Sequence, residues 1–496
     1  MPTPSVFEDM MRRKKITRPG RYGGAIALAL VLMTAVPSAS GQGGGLDLSL
    51  PDLGNPSSQA LPASESARIG QAMMREIRQE VDLIDDPAVN AYIRNLGSRI
   101  AAATDLPAAA YRFFVVDDPR INAFAMPGGY VGVNSGLITA SRNESELGAV
   151  IAHELAHITQ RHIARRLAAA EQTSLRTAAM VLAGLVIGSQ NPQAGAAAVT
   201  TGMATGIDTQ LAYSRAHERE ADRSGMRILA RANLDPVAMA DFFTVLQADN
   251  RYRNRGPAFL STHPLTQARI ADARSMARDM EPHSIFESPD FGYARARLQV
   301  AATDGPDEAV EAFRARIEAD DTPARRYGLA VALIADDRPA AGVDRLESLL
   351  EARGAHDLIY LALAEAALAD NRIDQALARI DDGLSLFPDS TGLQVGRVEA
   401  LLRADRARAA LAVTRDLTHR QPDAPEIWQL HARAASAAAD PDESALAMAR
   451  YYAVQGDLQA GLSQLKRISD ISATPRQRAR AEALRSRWQA TLTRTG

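Results

Sequence analysis

The sequence predicts an α+β domain, mostly helical with a small sheet, followed by an all-α helical-repeat solenoid. Three observations carry this expectation. A strand–turn–strand pattern is followed by a long helical pattern that contains His153-Glu154-Leu155-Ala156-His157. From about Thr322 the same residue types return every 34 positions, and beyond about residue 288 the pattern is helical only. At 496 residues the chain exceeds a single hydrophobic core, so more than one domain is expected.

Residues 1–40 have the layout of a secretory signal that is cleaved on export. Arg12, Arg13, Lys14, Lys15, Arg18 and Arg21 form a basic segment, residues 23–36 are apolar, and Ser38-Ala39-Ser40 are small. The apolar run is shorter than the ~20 residues a membrane-spanning helix needs. Export implies the periplasm, and the absence of cysteine fits an oxidising compartment. It also excludes disulfides, thiolate metal sites, cysteine nucleophiles and acylated-cysteine anchors. The formal net charge of −3 gives no overall pull toward nucleic acid, although peripheral contact with a membrane stays compatible with it.

Residues 41–62, rich in Gly, Pro and Ser, read as a flexible linker. Two amphipathic helices follow over about 64–103, broken at Asp86-Pro87. Residues 111–116 form a buried strand; 121–126 and 130–133 flank Pro127-Gly128-Gly129, which is hairpin turn chemistry. Asn143 then caps a helix that runs through residue 170, with Glu146 reaching back to the first turn. The apolar stretch 177–205, interrupted at residues 190–193, reads as two short helices or a flap over the domain. Helices over 207–231 and 235–249 and a loop over 256–264 complete a first domain, 63–287.

The second domain, 288–485, has a period. Asp337-Arg338, Asn371-Arg372 and Asp405-Arg406 lie 34 residues apart, as do Val343, Leu377 and Leu411, and Leu333, Ala367 and Leu401. That step is the tetratricopeptide period, a helix–turn–helix unit whose stacking creates a groove. Residues 486–496 are expected to be a tail.

The chemistry concentrates at His153-Glu154-Leu155-Ala156-His157. On a helix, i and i+4 share a face, so both imidazoles can point at one ion, and imidazole suits zinc. Glu154 stands beside them, where a carboxylate can take a proton from a water and pass it to a leaving amine. A catalytic zinc needs a third protein ligand. His162, nine residues after His153, is half a turn away on a continuous helix and faces elsewhere. In 217–222, Glu218 and Asp222 share a helical face while Glu220 points elsewhere. Glu218 can bind metal while Asp222 fixes an imidazole, or the pair can belong to a solvated face; His217 reads as a surface residue.

Those residues, with Asn122-Ala123-Phe124-Ala125-Met126-Pro127-Gly128-Gly129, residues 143–147, Glu218-Arg219-Glu220-Ala221-Asp222-Arg223 and Ser261-Thr262-His263-Pro264-Leu265, carry a resemblance. The chain resembles the CAAX-prenyl-protease/HtpX class of zinc metallopeptidases over about residues 45–285. Within that class it is similar to the periplasmic branch that joins such a domain to tetratricopeptide repeats. The resemblance implies a zincin-type metallopeptidase domain with one Zn2+ per chain, held by His153, His157 and Glu218. It further implies Glu154 as catalytic base and acid, with Asp222 supporting a ligand imidazole. His263 becomes a fourth ligand that silences the site, and Asn122, Ala123, Phe124 and Ala125 the edge strand on which substrate adds. Misfolded or stalled envelope proteins, above all outer-membrane β-barrels, are the implied substrates, recruited by the repeats together with assembly machinery. The competing reading is a periplasmic chaperone or assembly scaffold in which proteolysis is secondary.

Overall fold

A computed structural model describes residues 61–169, 215–252, 258–280, 288–468 and 472–495. The signal segment, nearly all of the linker and the apolar stretch 177–205 lie outside these residues. Leu61, at the expected end of the linker, is buried against the first helix.

The first domain is built on three strands in the order β1-β3-β2, with β1 Arg112–Val116, β2 Ala123–Met126 and β3 Tyr130–Asn134. β1 and β3 are parallel, and β2 pairs antiparallel to β3 with Ala123 opposite Val133. Pro127-Gly128-Gly129 makes the hairpin turn as expected. Gly129 has φ +79°, and a Cβ there would stand 1.9 Å from the Ala110 carbonyl oxygen, so only glycine fits.

One side of the sheet is covered by helix Ala63–Glu80 through Ile69, Met73 and Ile77. The other packs on helices Pro87–Ala102 and Glu144–Thr159, with Val115, Val131 and Val133 meeting Ile93, Leu147 and Ile151. Asp86 ends the connection between the first two helices because its carboxylate accepts from the backbone N–H of Ala88 (2.8 Å) and Val89 (3.1 Å). Helices Arg215–Arg231, Val237–Tyr252 and Gln267–Asp279 close the domain.

From residue 323 to residue 454 the described chain is a run of four helix pairs, one pair per repeat. Asp337, Asn371 and Asp405 have φ of +53°, +55° and +57°, and Ala439 extends the step with +58°. Each ends a helix in the left-handed conformation that Asp and Asn tolerate better than most residues. The next residue donates its N–H back to the expected column: Arg338 to Leu333, Arg372 to Ala367 and Arg406 to Leu401, at 2.8–3.0 Å. The matched columns are thus the two halves of one capping motif. The expected tail does not exist as such: helix Pro475–Thr495 runs through it, and Trp488 is buried against Leu446 and Leu465. Among the described residues no helix is long and apolar enough to cross a membrane.

Helix Pro289–Ala301 serves both parts. Phe291 and Leu298 belong to the first core, whereas Tyr293 and Val300 belong to the repeats. Arg297 on the same helix is buried and reaches three elements: Asp86 (2.7 Å), Glu365 (2.8 Å) and the Tyr327 hydroxyl (3.2 Å). Helix Pro87–Ala102 lies against the first helices of later repeats, with Gly392 facing Ala88 and Arg94 paired to Glu426 at 2.7 Å. Arg75 and Arg78 donate to the carbonyls of Gly456 and Val454, fastening the first helix to the far end of the array.

Replacing Arg297 by Met removes one member of a buried ion group and leaves Asp86 and Glu365 without their shared cation. Denaturant unfolding should show a loss of about 3–5 kcal/mol; an unchanged midpoint would mean that the seam does not depend on this charge. A second expectation concerns acid. Although burial alone would raise it, the Glu443 carboxyl is held at about 2 by His431 and Arg480, which donate to it at 3.1 and 2.9 Å. A depressed carboxyl stabilises the fold above its ordinary value of 4.5, and that contribution is lost as pH falls toward 2. The slope of stability against pH in that window should flatten in Glu443→Gln.

Candidate metal centre

Helix Glu144–Thr159 begins where Asn143 accepts from the Glu146 N–H at 2.9 Å. The Glu146 carboxylate reaches past Asn143 to the Arg142 N–H at 2.7 Å. Every residue from Glu144 to His157 is buried, so each polar side chain on this helix needs a partner within the protein. His153 and His157 project from one face with their Nε2 atoms 3.0 Å apart.

Helix Arg215–Arg231 crosses this one at Gly225. A Cβ on Gly225 would stand 3.2 Å from the His153 nitrogen and 3.1 Å from Met239 Cε, so the missing side chain sets how closely the helices approach. The crossing brings Glu218 Oε1 to 3.5 Å from His157 Nε2 and Glu218 Oε2 to 3.6 Å from His153 Nε2. Asp222, one turn on, comes to the other nitrogen of His153, with Oδ1 3.0 Å from Nδ1. His263 enters from the end of a short helix, Ala258–Thr262, formed where a loop was expected. Its Nδ1 lies 3.3 Å from His153 Nε2 and 3.1 Å from Glu218 Oε1, and its Nε2 is 3.4 Å from Glu154 Oε1.

Candidate donor atoms of His153, His157, Glu218 and His263 therefore lie within 4.8 Å of one another. Ligands at 2.0–2.1 Å from a tetrahedral zinc are about 3.3–3.4 Å apart along each edge. The approaches of His153 to His157 and His263, and of one or other Glu218 oxygen to each of the three imidazoles, are 3.0 to 3.6 Å and lie near that edge. Three imidazoles and a carboxylate aimed at one point in a dry interior are the donor set that zinc takes. Neither oxygen of Glu154 has a well-formed hydrogen bond, although the backbone N–H of Ala125 in β2 is near enough to lower its pKa. β2 lies at the edge of the described sheet, beside the imidazoles.

The electrostatics of these side chains follow from burial and crowding. Burial pushes Glu154 up, against the pull of His263 and His153. Burial, then repulsion from His153 and His263, drives His157 well below the usual imidazole range. Glu218 and Asp222 stay low despite burial, Glu218 through His263, His153 and Arg269, and Asp222 through Arg269 and His153.

Two expectations are corrected. The helix does not continue through residue 170: it stops at Thr159, Arg161 takes φ +54°, and a new helix, His162–Ala169, starts at a different angle. His162 therefore does not face away; it is buried with Nδ1 2.8 Å from His157 Nδ1. His217 is half-buried rather than free on the surface, and stacks on His162 at 4.5 Å. Sequence reasoning also missed Arg269. Its guanidinium donates to both oxygens of Asp222 at 2.7 Å, approaches Glu218 Oε2 at 2.7 Å and donates to the Pro264 carbonyl at 2.9 Å. The only signal was an arginine six residues after His263, which no periodicity singles out.

A helix-borne pair of imidazoles, a carboxylate from a crossing helix and an adjacent Glu define a metallopeptidase type of domain. The profile of peptidase family M48 matches residues 87–277, and a tetratricopeptide repeat profile matches 367–434. The chain is 32% identical to a putative beta-barrel assembly-enhancing protease of Vibrio cholerae, over 86% of this chain and 88% of that one. It is 31% identical to the beta-barrel assembly-enhancing protease of Escherichia coli, over 85% and 87% respectively. Mitochondrial metalloendopeptidase OMA1 of Schizosaccharomyces pombe is 31% identical over 36% of this chain and 50% of its own. The chain thus belongs to the beta-barrel assembly-enhancing protease family, M48 metalloendopeptidases that carry tetratricopeptide repeats.

Gly225→Val tests the helix crossing. The added carbons must push the two helices apart, so a fall in stability of about 1–3 kcal/mol is expected, together with loss of bound metal measured by elemental analysis of the purified protein. Metal retained at the wild-type level would show that the crossing tolerates the bulk.

Proposed function

We propose that this chain is an envelope metalloendopeptidase in which His153, His157 and Glu218 hold one zinc ion, with Glu154 as the catalytic acid–base. The single observation that carries the reading is the burial of four donor side chains, His153, His157, Glu218 and His263, with donor atoms within 4.8 Å of one another. Zinc held there supplies a water acidified to a pKa near 7 and polarises a peptide carbonyl. Glu154, on the next helical position after His153 and with no good hydrogen bond of its own, is free to accept a proton and return it to the leaving amine. Asp222 holds His153 by its far nitrogen and so fixes which nitrogen faces the ion. An extended substrate adds along Asn122 and the first residues of β2, Ala123, Phe124 and Ala125, which brings its backbone past Glu154.

His263 is the fourth donor and closes the site. Its Nδ1 stands 3.3 Å from His153 Nε2 and its Nε2 3.4 Å from Glu154 Oε1, so it would hold the metal in place of a water. Its withdrawal on the Ala258–Thr262 segment would open the site and leave His153, His157 and Glu218 as the donors. The substrates are misfolded or stalled outer-membrane β-barrels in the periplasm, recruited with assembly machinery through the repeats. This is supported by the signal-like N-terminus and by what the Vibrio cholerae and Escherichia coli relatives are named for.

Two variants test the chemistry. Glu154→Gln should keep about one zinc per chain and lose about 10²- to 10⁴-fold in cleavage of an unfolded reporter protein. His263→Ala should keep zinc and cleave the same reporter faster than the wild type. Unchanged cleavage in Glu154→Gln, or rescue of envelope integrity by it equal to the wild type, would favour a scaffold over a peptidase. Slower cleavage in His263→Ala with zinc bound would remove the latch.

A further inference from the structure

From the contacts behind His157 we infer that His162 and Glu220 form a relay that fixes the proton, and hence the metal-facing nitrogen, of that ligand. The inference rests on the metal site proposed above and adds to it a positioning residue, not a further ligand. His157 turns Nε2 toward His153 and Glu218, which leaves its proton on Nδ1. That Nδ1–H points at Nδ1 of His162, 2.8 Å away. A nitrogen that accepts there carries no proton, so His162 has its proton on Nε2, and Nε2 donates to Glu220 Oε2 at 3.2 Å. Arg165 donates to the same oxygen at 2.8 Å and keeps the carboxylate in place.

The two ligand imidazoles are therefore supported differently. Behind His153 stands a carboxylate, Asp222, in direct contact. Behind His157 the carboxylate is one ring further out, because the half-exposed Glu220 cannot reach the buried Nδ1 and His162 spans the gap. The chain break at Arg161 makes this possible. A left-handed residue costs roughly 1–2 kcal/mol outside glycine, and here it swings His162 from the far side of the helix onto His157. Stacking of His217 on His162 holds the ring plane. An imidazole ligand almost always gives its second nitrogen to such a partner, and removing the partner weakens metal binding by about 10- to 100-fold.

The test measures zinc affinity of the full chain by competition with a chromophoric chelator, with the unfolding midpoint of the metal-free protein as a check on folding. His162→Leu keeps bulk but no acceptor and should weaken zinc by about 10- to 100-fold. His162→Asn can place its Oδ1 where Nδ1 stood and should retain most of the affinity. Glu220→Ala, at the surface end, should weaken zinc several-fold. Wild-type affinity in His162→Leu, or an Asn variant no better than the Leu variant, overturns the relay. If His162→Leu does not fold, Glu220→Ala decides, and unchanged affinity there overturns it equally. His157→Ala separates the two readings. If that variant binds zinc as well as the wild type does, the metal site itself is wrong; if it loses zinc while His162→Leu does not, only the relay fails.

Discussion

The crossing of helices Glu144–Thr159 and Arg215–Arg231 is the constraint on which the rest depends. One helix brings imidazoles and the other carboxylates, and all four groups are buried. Burying a charge or an unpaired imidazole is costly, so neither helix could pack in an apolar core alone. Together they give each other polar partners, and Gly225 allows the close approach. Arg269 then offsets the excess of negative charge, since Glu218 and Asp222 share one guanidinium. The site is thus a polar core held by its own pairing.

Support spreads outward by size and reach. Asp222 is short and sits directly behind His153, whereas Glu220 leaves the core for the surface and acts across His162. Arg269 bonds the carbonyl of Pro264 as well as the two carboxylates, so the segment that carries His263 shares a partner with the carboxylate helix. Movement of His263 would therefore be felt at Glu218 through Arg269 as well as through the direct contact between them.

The repeats are not strung behind the peptidase domain. Helix Pro289–Ala301 gives alternate faces to the two cores, and Arg297 joins the cap of helix Pro87–Ala102 to a repeat helix. Arg94, Arg75 and Arg78 carry the contact along the array to residues 454–456. The domain boundary expected near residue 288 falls just ahead of this shared helix. A groove that tetratricopeptide arrays often leave open here receives a helix of the same chain.

The sequence by itself determined most of the helix–strand pattern, the 34-residue step and the candidate donor residues. These are local: i,i+4 spacing puts His153 with His157 and Glu218 with Asp222, and Asp or Asn stands at three of the left-handed turns, Asp337, Asn371 and Asp405. Only the tertiary structure decided what depends on where the chain turns. On a continuous helix His162 would face away, and a single positive φ at Arg161 reverses that. Arg269 and Arg297 were invisible for the same reason. A buried arginine is defined by the carboxylates that other segments bring to it, and no spacing along the chain records them.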